Sequence, residues 1–218
     1  MRPAVYGRVL LTALLAAAAA PVLARSCEPV IGQGWPPAVG NYGEAAVQLL
    51  GGAVEDGVSM LTLPVRGQES QVLLRRDADS GQWRVLAGVA DERIYNWNSG
   101  RSRGGVNLVV DQQPDFVQAP VPEALAQRLV QAWTQALSMP EVAGQAPVTE
   151  AEVVSFTVGG QRYSGKRSSC GPLEALQDQA VLLVELAHST DKKYEKRYAD
   201  IERALDRMHN RFYGQDAD

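Results

Sequence analysis

Two cysteines, two histidines and an aromatic share of 6% are what this 218-residue chain has least of. So few thiols and imidazoles leave little to hold a transition metal, and His188 and His209 are not spaced with acids or thiols as a zinc signature requires. No cofactor is called for either. The P-loop, the dinucleotide fingerprint, C-x-x-C, H-E-x-x-H and G-x-S-x-G are all missing, so no motif names a reaction. A basic excess is lacking too. The chain has 21 Lys and Arg against 25 Asp and Glu, a formal charge of −4, the reverse of the surface that a polyphosphate backbone selects. Nucleic acid is therefore not an expected partner. Gly and Pro, at 20 and 12 residues, are too few for a low-complexity chain, and 45% apolar with 21% charged residues is the composition of a globular one.

The sequence also lacks an apolar run of bilayer length. The longest, Val9 to Ala20, follows Arg2 and Arg8 and precedes Pro21-Val22-Leu23-Ala24, with small residues where a signal peptidase cuts. Extended to Ala24 it is still shorter than the roughly 17 to 25 residues a transmembrane helix needs. Residues 1–24 are thus expected to be a removed signal peptide. The remaining 25–218 are expected to be soluble, periplasmic or secreted, without a transmembrane span, and one α+β domain divisible into 25–115 and 120–218. Losing Arg2 and Arg8 makes that remainder more acidic.

An oxidising compartment favours pairing of an even number of thiols, so Cys27 and Cys170 are expected to form a disulfide. The competing reading makes Cys170, at the start of a helix, a nucleophile with His188 as base. His188 lies at the far end of that same helix, about 27 Å along the axis at 1.5 Å per residue, which excludes the pair.

Asn41 can cap a short helix, Tyr42 to Leu50, ended by Gly51-Gly52. Before it, Pro29 to Gly40 reads as an extended lead-in. Strand-like pieces follow at Val58–Leu63, Gln71–Arg76, Gln82–Ala87 and Val106–Val110, close enough for antiparallel pairing, with a hairpin turn at Asp77–Gly81. Pro120 and Pro122 open a helix whose Leu125, Leu129, Trp133, Ala136 and Leu137 form one stripe. Gly159-Gly160 turns a hairpin between Glu152–Val158 and Gln161–Lys166, in the register that sets Phe156 against Tyr163. Two helices close the chain. One begins near Pro172, and the last carries Tyr194, Tyr198, Ile201, Leu205, Met208 and Phe212 at alternating spacings of about four and three. This seam is expected to pack on the chain's own helices, giving a monomer rather than a helix-mediated dimer. Ser189-Thr190-Asp191-Lys192 matches S-x-x-K, but Ser189 and Thr190 are read as helix caps, since the companion motifs of that enzyme class are missing. The fold is therefore a short helix and an antiparallel meander, then a helix, a hairpin and two helices.

One segment stands out. Asp91 to Gly105 is a long connection that gathers Arg93, Tyr95, Asn96, Trp97, Asn98, Arg101 and Arg103. Aromatic rings stack on sugars or seat in protein pockets, Asn offers both donor and acceptor, and Arg forks onto carboxylates. Long loops on rigid flanks commonly carry function. The expectation is a non-catalytic binding or interaction protein of the cell envelope, meeting a protein or a saccharide through this segment. The alternative is a small envelope hydrolase using Asp91, Glu92 or Asp111 as acid and base.

Overall fold

The computed structural model describes residues 31–52, 54–98, 105–139 and 151–214. The element order is β1 (Ile31–Gln33), α1 (Gly40–Leu49), β2 (Gly57–Leu63), β3 (Ser70–Arg76), β4 (Trp83–Val89), β5 (Tyr95–Asn98), β6 (Gly105–Leu108), β7 (Phe116–Pro120), α2 (Glu123–Leu137), β8 (Val153–Val158), β9 (Gln161–Lys166), α3 (Gly171–Ala187) and α4 (Tyr194–Phe212). This is an α+β fold with an antiparallel sheet and its two longest helices at the C-terminal end.

Gly159 and Gly160, at φ of 53° and 74°, make the tight turn that only residues tolerant of positive φ allow twice in succession. The turn sets Val158 against Gln161 and Phe156 against Tyr163, as their alternation requires. β8 does not stop at this hairpin. It also pairs with β2, Val58 meeting Val158, so the seven-stranded order is β1-β9-β8-β2-β3-β4-β7. Strands from both sides of residues 115–120 are interleaved in one sheet.

The period-two alternation sorts the sheet's side chains into two layers. Met60, Val72, Ala87, Val154 and Phe156 belong to the core under α2, α3 and α4. Leu61, Leu63 and Val153 point the other way, under α1. At the centre of the first layer Trp133 is fully buried, edge-on to Phe156 at 5.6 Å. Its indole Nε1 donates to Gln179 Oε1 at 2.8 Å, so the one polar atom of that ring is satisfied. Ile201, Leu205 and Met208 of α4 are buried in the same core, so the helix seam is used within the chain.

Several local expectations are corrected. Ile31–Gln33, read as an extended lead-in, is an edge strand paired with β9. The first helix begins at Gly40 and has Val39, not Asn41, at its cap position, without a side-chain cap bond. Phe116–Pro120 forms β7, so Pro120 ends a strand rather than opening α2, which starts after Pro122. Ser189 caps nothing ahead of it: its hydroxyl donates back to the Glu185 carbonyl at 2.6 Å and accepts from Arg197 Nε. Trp35 lies against Gly43, with the Arg162 guanidinium 4.5 Å from its ring centre.

Residues 1–24, Cys27 and the segment 140–149 lie outside the described residues. Cys170 sits at the N-cap position of α3 in extended backbone, and no cysteine is free among the described residues. Its pairing with Cys27 is kept as a proposal.

Candidate functional site

The segment read as a long loop is a two-stranded ribbon standing apart from the main sheet. Its strands β5 and β6 run antiparallel with Tyr95 opposite Leu108, Asn96 opposite Asn107, Trp97 opposite Val106 and Asn98 opposite Gly105. A two-stranded ribbon has little stability of its own in water, so what holds its base decides its orientation.

That anchor is Glu69, just ahead of β3 and completely buried. Its Oε1 accepts a short hydrogen bond from the Tyr42 hydroxyl of α1 and a long one from the Tyr95 amide at 3.4 Å, while Oε2 accepts from the Ile94 amide at 2.8 Å. Its backbone carbonyl accepts from the Ala90 amide at 2.9 Å. A carboxylate without water is tolerated only when hydrogen bonds replace the lost hydration. Here the donors come from α1 and from the chain entering β5. Burial and the neighbouring Glu69 carboxylate push the Tyr42 hydroxyl well above the ordinary tyrosine range, so it stays a donor at any physiological pH.

The ribbon's base is braced further. Val109 donates its amide to the Ile94 carbonyl at 2.8 Å. The Gln112 side chain accepts from the Glu92 amide at 3.0 Å and donates to the Glu92 and Val109 carbonyls at 3.2 and 2.7 Å. Tyr95 packs its ring 5.1 Å from that of Tyr42, and the Arg93 guanidinium stands 5.7 Å from the Tyr95 ring centre.

The structure thus divides the seven expected binding residues. Arg93 and Tyr95 belong to the braced base, and Asn96 is exposed on the strand beyond it. Trp97 and Asn98 continue β5, but their side chains, and the whole of Arg101 and Arg103, lie outside the described residues. On the return strand Val106 is 48% exposed, a large aliphatic side chain in water next to Trp97 in register.

The carboxylates of the hydrolase alternative lie on the segments that form the ribbon's base. Asp91 accepts the Gln113 amide at 3.2 Å, Glu92 and Asp111 are exposed, and among the described residues no hydrogen bond joins any two of them. Compared with known proteins, the chain matches no family model, no curated protein and no solved structure.

Glu69 is the residue sequence reasoning missed. In Arg66-Gly67-Gln68-Glu69-Ser70 it reads as one more turn acid, and no local signal separates it from a surface carboxylate. Its burial is created by α1 and β5 arriving from both sides of the chain.

Proposed function

We propose that this is an exported, non-catalytic binding or interaction protein of the cell envelope that meets a protein or saccharide partner with the β5–β6 ribbon. The observation that carries the reading is the buried Glu69 carboxylate clamping the Ile94 and Tyr95 amides. A fully buried carboxyl group is used to fix the direction of a short ribbon that adds no strand to the main sheet. Binding elements gain from such preorganisation, because less freedom is lost on association. The residue types along the ribbon, Asn, Arg and aromatic with an exposed valine, are those of adaptable contact surfaces. The leader and the two cysteines support an oxidising, extracytoplasmic setting.

The test is a tip variant, Trp97→Ala with Val106→Ser, that leaves the Tyr42–Glu69–Tyr95 base untouched. Crosslinking in the native compartment, followed by recovery of the protein and mass spectrometry, is expected to yield a specific partner with the parent chain. The variant should reduce that partner to background with no change in melting temperature. Equal recovery from parent and variant removes the ribbon from consideration.

A further inference from the structure

On the opposite face of the sheet from Glu69, α3 and the sheet border a cleft of about 510 Å³. That is within the roughly 300 to 1,000 Å³ of ordinary small-molecule sites. Its floor is Met60, Val72, Ala87 and Val117, and its helical wall is Ala180, Val181 and Val184. Val89 on the sheet side and Val181 on the helix side are 48% and 50% exposed, with Thr62, Ser70 and Gln71 as the polar part of the sheet-side lining.

The mouth is charged, and unequally so. Asp91, Asp115, Glu185, His188 and Arg167 stand around it. Arg167 already pairs with Glu152 at 3.0 Å, and Glu185 with Arg197. Among the described residues no ion pair reaches Asp91 or Asp115. The uncompensated charge over the apolar interior is negative and lies at the solvent edge, where a bound cation keeps part of its hydration.

From this pairing of surfaces we propose that the cleft binds a small amphiphilic amine, with its apolar body between Val89 and Val117 of the sheet and Val181 and Val184 of α3, and its ammonium at Asp91 and Asp115. The apolar body is driven in by loss of water-exposed surface. The ammonium gains both carboxylates at little desolvation cost. A carboxylate or phosphate head would meet two acids without an ion-pair partner along the same lining, while the one guanidinium there is already engaged with Glu152. This inference goes beyond the ribbon reading and does not depend on it.

The experiment titrates the full chain, as recovered from cells, with decylamine, decanol and decanoate by calorimetry, each below its self-association concentration. Decylamine is expected to bind at least about tenfold more tightly than decanoate. Converting both acids, Asp91→Asn with Asp115→Asn, should weaken decylamine by about fivefold or more and leave decanol unchanged; Asn at 91 keeps an acceptor for the Gln113 amide. Val184→Trp, which fills the cleft, should weaken both decylamine and decanol. Because a bulky residue there can disturb folding, Val181→Ser at an exposed position supplies a second variant expected to act in the same direction. Absence of binding by all three probes, decanoate binding as tightly as decylamine, or a decylamine affinity indifferent to the two Asn changes overturns the proposal. Val184→Trp, Val181→Ser and Asp115→Asn, all outside the Asp91–Gly105 segment, should leave partner recovery through the ribbon untouched, so either inference can fail alone.

Discussion

Replacing Glu69 with Ala leaves two buried donors, the Tyr42 hydroxyl and the Ile94 amide, without their acceptor. Tyr42 is 8% exposed and Ile94 is fully buried, so water does not readily substitute. An orphaned buried donor costs about 1 to 3 kcal/mol, and two cost about 2 to 6 kcal/mol. Relief from burying the carboxylate itself offsets part of this, which brings the expected loss to about 2 to 4 kcal/mol. That is a large share of the 5 to 15 kcal/mol typical of a domain's stability. Glu69→Gln should cost less, about 1 to 2 kcal/mol, because its carbonyl can still accept from one donor while its amide group faces the other. Urea unfolding measures the loss, with an unchanged slope showing that the same surface is exposed. Native-state hydrogen exchange supplies the local readout: the Ile94 and Tyr95 amides should lose protection in Glu69→Ala well before that of Val85 in β4 does. A cost under about 1 kcal/mol together with unaltered Ile94 exchange would falsify the view that this carboxylate sets the ribbon.

Two further outcomes follow from the geometry. Gly57 has φ of +145°, and a Cβ there would lie 2.0 Å from the Leu74 carbonyl oxygen across the β2–β3 pair. Gly57→Ala should therefore cost about 2 kcal/mol or more, read as a fall in melting temperature, whereas Gly67→Ala, with open space around it, should lose only local backbone strain of about 1 kcal/mol. Equal effects would refute the steric account. The Tyr42 hydroxyl sets an alkaline limit: its folded pKa is raised above the unfolded value of 10.0, so its contribution to stability is intact below about pH 10 and declines as pH climbs higher. The urea midpoint should fall progressively as pH rises above about 10, and Tyr42→Phe should flatten that fall, with a remainder from Tyr198 and Tyr213, which burial shifts the same way. An identical decline in the variant would remove Tyr42 as the cause.

The elements legible in the sequence were those whose signals are local. The Gly159-Gly160 hairpin, the stripe of α2 and the α4 seam each follow from spacing and turn chemistry within about twenty residues, and the structure has all three. β7 was missed because Phe116–Pro120 is short, lies just past Pro114 and ends in Pro, so it reads as a lead into α2; its strand character comes from the β4 partner, Val85 opposite Ala119. β1 was hidden the same way by glycines and prolines, and pairs only because β9 offers an edge. The candidate site was half legible. Tyr95, Trp97 and the flanking Asn and Arg residues mark the segment, but Asn, Ser and Gly argue for a loop, and only the Val106–Leu108 return reveals a ribbon. Glu69 and the α3 cleft are invisible in the sequence because both are products of tertiary placement: one acid enclosed by α1 and β5, one cleft bordered by a helix and the sheet.

The position of β8 between β9 and β2 sets a schedule on the growing chain. Met60 has its partner Val72 close by, but its other neighbour, Phe156, emerges only late in synthesis. Until then β2 presents an unzipped margin, and Ile31, which waits for Gly165, has nothing to join. Topologies with such distant pairings close slowly. A chain of which only the first two thirds has emerged therefore forms an open meander, and truncation anywhere before Lys166 leaves it unfinished.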